Sequence, residues 1–422
     1  VIGALILVAL GYSAARALLP NTSWRLRLGS GILIGAGLCG VILLFTWSLV
    51  GCSVAALLGC WALWRTHRSN PATQQPSNHW TDVLTLTTLA LYAWHSTRPE
   101  EWSWQNSAPS KRDWFFIWGQ KANLFFAHGG IDVAFLQSSP RDLSQPDYPW
   151  LWPLTIDWLA LFHGSFDPRL AGLATVLFAL ALLLVFREFA SPLATLAATG
   201  AACTSYLGLA DGPFAAFAGA ALILADDALR RDDRHRLRVA AILLGLSANI
   251  KNEGVALIIA VAIAIVVAGR ARRVVELWPA LAIAAPWLIA KRALGLSTDL
   301  LRGDLVARLT HSLAHLGEFF ARFRDVHESN PWLYLAIGFA LLISIRELRR
   351  ETFLVTAIVA QLTFYLAANL ISPFGVGGQI GGSWGRLLGH VAVPLVFLAA
   401  RGLEVHPRAA TAAPSLVEEE GG

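Results

Sequence analysis

The stretch "RLAGLATVLFALALLLVFR", Arg169 to Arg187, decides the fold class. It holds seventeen consecutive uncharged, mostly apolar residues between two arginines. That is near the ~20 residues an α-helix needs to cross a bilayer. Similar runs recur at about 1–19, 29–47, 49–64, 81–97, 192–208, 213–229, 238–251, 254–269, 275–290, 331–346, 352–371 and 387–402. Inside a bilayer the backbone must satisfy its own hydrogen bonds, so these runs are expected to be helices. The expectation is an all-α, polytopic bundle of about 11–13 spans, forming a single domain over residues 1–402. The polar stretch 403–422, ending "VEEEGG", is expected to be a disordered cytoplasmic tail.

Composition agrees. The 422 residues are 55% hydrophobic and 14% charged, with a mean hydropathy of +0.54, outside the range of soluble domains. The net charge of +5 calls for no nucleic acid, because the basic residues are mostly arginines between spans. Cys39, Cys52, Cys60 and Cys203 sit in apolar runs without metal-ligand spacing and read as small hydrophobes. The first run has no charged segment before it and no small-residue cleavage site after it, so no cleavable signal peptide is expected.

Basic connectors mark the cytoplasmic side: "WRLRL" (24–28), "WRTHR" (64–68), "RRDDRHRLR" (230–238), "GRARR" (269–273) and "RELRR" (346–350). Alternation then places long outer connections at 98–167 and 291–330. Tight outer corners follow at "LADGPF" (209–214), "NIKNEG" (249–254) and "SPFGVGGQIGGSWGR" (372–386). Eight of the seventeen tryptophans lie between Trp94 and Trp158, so the first outer connection is expected to form amphipathic helices lying in the interface.

The chain has four lysines and 29 arginines. Lys111, Lys121, Lys251 and Lys291 all fall on the expected outer side, against the usual bias. With Asp113, Asp147, Asp211 and Glu253 they load one face with ionisable groups, which suggests a site. Asp113, before "WFFIWG", reads as a helix N-cap or as a general base. Lys121 lies roughly 12 Å farther along a helix and about 80° around it. The two cannot pair directly, though a substrate could lie between them; snorkelling is the simpler use for Lys121. Asp147-Tyr148-Pro149 is either a turn opening a helix or a place to bind an acceptor or a divalent ion. Asp211 suits a turn or cap, whereas Lys251-Asn252-Glu253 interrupts an apolar run where a plain hairpin would need only Gly254 or Asn252.

"FGVGGQIGGSWGRLLGH" (374–390) lacks the Lys-Ser/Thr of a phosphate-binding loop and reads as a flexible outer loop. Arg386 and His390 follow at i, i+4 and could clamp a phosphate. His311, His315 and Glu318 share a helix face, but an amphipathic interfacial helix explains them without a metal, and no metal is expected.

The order of these features resembles the GT-C glycosyltransferases, in particular bacterial multi-span proteins related to the protein mannosyltransferases and the aminoarabinose lipid A transferases. The resemblance runs over roughly 80–400. It rests on Asp113 opening the first outer loop, Asp147-Tyr148-Pro149, Asp211, the "KNEG" corner and "SWGRLLGHVAVP". Two positions depart from it: Trp114 stands where a second acid often follows, and Gly385 where an acid often precedes the arginine. No large soluble C-terminal domain of the kind oligosaccharyltransferases carry is expected.

The resemblance implies an inverting transferase acting at the outer face of the cytoplasmic membrane, without a cofactor. Its donor would be a polyprenyl-phosphate-linked sugar, its acceptor a hydroxyl on a lipid, glycan or protein, with membrane lipids around both. Asp113 would be the base. Lys121, Lys251 and Arg386 would hold the leaving phosphate. Asp147, Tyr148, Asp211, Asn252, Glu253 and His390 would bind substrate. The rival readings are a transporter or lipid flippase, and a lipid-linked glycan polymerase or ligase.

Overall fold

A computed structural model describes residues 1–65, 79–102, 113–138, 144–203, 208–296, 298, 303–328, 348–373, 375–376 and 380–404. Among them the chain is 84% helical, without strands, in seventeen α-helices. In order these are α1 (Ile2–Leu18), α2 (Trp24–Phe45), α3 (Leu49–Arg65), α4 (His79–Ser96), α5 (Gly119–His128), α6 (Val133–Ser138), α7 (Leu151–His163), α8 (Arg169–Phe189) and α9 (Pro192–Cys203). There follow α10 (Asp211–Arg231), α11 (Arg234–Ala248), α12 (Glu253–Val267), α13 (Trp278–Ala293), α14 (Leu305–Ala314), α15 (Leu316–Glu328), α16 (Leu348–Leu370) and α17 (Ile380–Glu404). The expected run at 331–346, Lys111 and the tail from 405 onward lie outside the described residues.

Among the described residues, six helices are long and apolar enough to cross a membrane: α2, α8, α10, Ala271–Ala293, Arg350–Leu370 and Ser383–Gly402. Four more apolar helices are shorter, at Ile2–Leu18, Leu49–Trp61, Pro192–Cys203 and Glu253–Val267. This is the pattern of a multi-pass membrane protein.

Local sequence explains how the helices begin and meet. Ser23 caps α2, its hydroxyl accepting from the Leu26 amide at 3.2 Å. Asp233 caps α11 through the Arg236 amide at 3.1 Å. α1 and α2 approach so closely that a Cβ on Gly11 would lie 1.8 Å from the Gly31 carbonyl oxygen, the use membrane helices make of small residues. α10 runs through the centre, packed on α8, α11 and α17, while α16 packs on α12 and α17.

Charge sorts to the two ends of this core. At one end Arg230 bridges Asp226 on α10 and Glu351 on α16, each at 2.8 Å. Arg401 of α17 pairs with Asp226 as well. Arg238 bonds Glu276 at 2.7 Å nearby. Arg230 and Arg238 belong to the expected cytoplasmic connector at 230–238. The opposite end carries the acids and lysines described below.

The first outer connection does form short helices, and several of its aromatic residues pack inside the protein. Trp102, Trp114, Trp118 and Phe125 are buried in protein. A buried indole N–H favours an acceptor, and three indoles here find one. Trp102 donates to the Ser96 carbonyl at 2.8 Å, Trp152 to that of Gly208 at 3.1 Å and Trp158 to that of Gly3 at 3.0 Å. α14 and α15 match the interfacial expectation better: Val306, Leu309, Leu313 and Phe320 are exposed.

Candidate functional site

The corner between α11 and α12 builds the first part of the site. It can turn so tightly because residue 254 is glycine: a Cβ there would lie 2.4 Å from the Ala248 Cα. The turn carries Lys251 inward. Its ammonium lies 3.0 Å from Asp211 Oδ1 at the start of α10 and 3.0 Å from Glu253 Oε1. Burial opposes the charge on Lys251, but the two carboxylates outweigh it and hold the amine above its ordinary value. Two of its three N–H donors are thereby committed and one is left.

Asp147 approaches from the segment before α7. Its Oδ2 accepts from Asn252 Nδ2 at 3.1 Å and from Lys291 Nζ at 3.3 Å. Asp147 therefore ties the first outer connection to the "KNEG" corner and to the end of α13. Tyr148 stacks on Trp118, with ring centroids 5.1 Å apart and planes 9° from parallel.

Lys121 stands one layer behind. It is fully buried and donates to the carbonyls of Gln145 and Tyr148, at 3.0 and 3.3 Å, fixing the backbone of that turn. Burial brings its pKa down to about 7, the Asp147 charge opposing this and the Lys291 charge adding to it.

α17 contributes the third part. Arg386 donates from NH1 to Asp113 Oδ2 at 2.6 Å and lies 3.9 Å from Asp211 Oδ2. One turn on, His390 is buried against the Phe214 ring, at a centroid distance of 4.5 Å. It sits between Asp211, 3.0 Å from Nε2, and the Tyr365 hydroxyl, 2.8 Å from Nδ1.

These groups surround a cavity of about 270 Å³. Of the residues expected from sequence, Asp147, Tyr148, Asp211, Lys251, Asn252, Glu253 and Arg386 line it. Asp113, Lys121 and His390 do not. Asp113 reaches the site only through Arg386, and makes no helix cap. Two cavity-lining residues keep buried polar atoms without a partner, Arg386 Nε and Glu253 Oε2, an arrangement that a polar ligand would complete. Apolar residues complete the lining: Ala256, Phe364, Ala368 and Leu387.

Sequence reading missed Tyr365 and Asn369, which also line the cavity. Asn369 donates to the Tyr365 carbonyl at 2.9 Å. The signal was there: a Tyr and an Asn at i, i+4 near the outer end of an apolar run. The sequence marks Lys291 as an outer lysine, and nothing local in it points to Asp147 as its partner.

Compared with known protein families, with curated proteins and with solved structures, the chain matches none.

Proposed function

We propose that the protein is an inverting glycosyltransferase that moves a sugar from a polyprenyl-phosphate donor to an acceptor hydroxyl. The observation that carries this reading is the mixed lining of the cavity. Lys251 and Arg386, with donors still unspent, line it together with Phe364, Ala368 and Leu387. A ligand with an anionic head on an apolar chain suits both kinds of lining. Fixed cations aimed at a leaving phosphate are what such a transfer needs, because charge grows on that phosphate as the anomeric bond breaks. Asp113 orients the guanidinium, and Asp147 with Asn252 places polar groups where the sugar or acceptor would lie.

The position of the cavity favours an enzyme over a transporter. Transporters hold their charges near the bilayer midplane on broken helices. Here Asp211, Lys251, Lys291 and Arg386 sit at helix ends and corners. The lysine-bearing end lies opposite the arginine-rich end, which by the positive-inside rule supports a reaction on the outer face of the cytoplasmic membrane.

The test is a mass-spectrometric profile of polyprenyl-phosphate sugars in the membranes of the source cell. A deletion strain carrying the wild-type protein is compared with one carrying Arg386→Ala. The expected result is a lipid-linked sugar that builds up only with the variant, which also names the donor. Identical profiles at equal protein levels would put the transporter first.

A further inference from the structure

Asp211, His390 and Tyr365 form one hydrogen-bonded line from α10 through α17 to α16. All three are buried. Asp211 Oδ1 also faces the Lys251 ammonium, and a carboxylate in such a pair only accepts. His390 must therefore carry its hydrogen on Nε2 and donate it to Asp211. The neutral ring then has a bare Nδ1, so the Tyr365 hydroxyl donates into it. The direction of the line is thereby fixed from phenol to imidazole to carboxylate.

This direction has a chemical consequence. Tyr365 lines the cavity and His390 does not. Since Tyr365 gives its hydrogen to His390, its oxygen keeps lone pairs with which to accept, and the residue lines the cavity. A hydroxyl arriving there meets an acceptor already connected to a second base and a buried carboxylate. Asp113 is outside the lining and has its Oδ2 on Arg386.

We propose that Tyr365 is the catalytic residue that takes the acceptor's proton, with His390 relaying it and Asp211 positioning the imidazole. The proposal rests on the transferase reading above. The acceptor proton moves to Tyr365 Oη as the Tyr365 proton moves to His390 Nδ1. The electron pair left on the acceptor oxygen forms the bond to the anomeric carbon. The bond from that carbon to the donor phosphate oxygen breaks, and its pair leaves on the phosphate, beside Lys251 and Arg386. The imidazolium is held by Asp211 until its proton returns through Tyr365 to the released phosphate or to water. The logic is that of a base oriented by a third group.

The test has two parts. Nitrogen-15 spectra of histidine-labelled protein in nanodiscs are read first, with His390 assigned by its loss in His390→Gln. An Nε2–H tautomer whose Nδ1 signal moves to the unbonded position in Tyr365→Phe supports the line, and an Nδ1–H tautomer overturns it. The second part is turnover of the polyprenyl-phosphate-sugar fraction extracted from source membranes. Tyr365→Phe is expected to lose about 100-fold or more while still retaining that donor fraction. His390→Gln keeps an amide oxygen and an amide N–H on the ring's two sides but carries no proton, so a comparable loss there separates relay from support. Tyr365→Phe turnover within about threefold of wild type overturns the relay and leaves the transferase standing. Wild-type protein that consumes no lipid-linked sugar overturns both.

Discussion

Arg386 and Asp113 meet at 2.6 Å across 273 residues of sequence. The contact joins the first outer connection to the last long helix and holds the guanidinium beside the cavity. Asp113 is followed by a helical turn, and so has the position of a cap, but its carboxylate makes no cap bond.

A double-mutant cycle on Asp113→Asn and Arg386→Gln is expected to be non-additive. The pair is partly exposed, so a coupling of about 1 kcal/mol, roughly fivefold in donor affinity, is expected. Retention of the lipid-linked donor fraction by the four proteins measures it. Strict additivity would mean that the contact does nothing for the donor.

Lys251→Met should be the most damaging single change at the site. It leaves Asp211 and Glu253 facing each other without their shared cation, and breaking such a buried pair costs about 3–5 kcal/mol. Thermal unfolding in detergent should show a large drop, partly restored by adding Asp211→Asn. An unchanged midpoint would mean that water reaches the lysine freely.

Gly254→Ala sets two effects against each other. Alanine gains about 1 kcal/mol in helix propensity. Its Cβ would collide with the Ala248 backbone, and overpacking costs about 1–3 kcal/mol. The clash is with backbone rather than a flexible side chain, so destabilisation is expected to win. Monodisperse yield after a heating step reads the sign.

The Lys121 pKa is lowered from 10.5 to about 7 in the folded protein. Between these values the unfolded state binds the proton that the folded state releases, so stability rises with pH. The contribution is complete above 10.5 and is lost as pH falls through about 7. The unfolding midpoint of wild type relative to Lys121→Gln should therefore climb from neutral to alkaline pH. A flat difference would place the amine in contact with water.

The helical class was legible because apolar runs near bilayer length have few alternatives. The "KNEG" corner was legible because three polar residues in an apolar run have no cheaper explanation. Lys121 was harder: nothing local distinguishes a lysine that meets phosphate from one that ties down the Gln145 and Tyr148 carbonyls, since those partners come from another segment. Asp147 was found, but its partners Asn252 and Lys291 lie 105 and 144 residues away. Tyr365 was hidden because a tyrosine in an apolar helix ordinarily packs, and only the arrival of His390 from α17 gives its hydroxyl a direction.

α10, α16 and α17 are joined to one another at both ends. Asp211 and Asp226 lie fifteen residues apart on α10, which at 1.5 Å per residue is about 22 Å. The same three helices are pinned through Tyr365 and His390 at one end and through Glu351 and Arg401 at the other. A tripod fastened at both ends cannot splay at one without straining the other. Sliding α17 by a single turn would break the bonds of His390 and of Arg401 together. The cavity wall made by these helices is thus a rigid frame, and access for the proposed long-chain donor would fall to the elements outside the tripod.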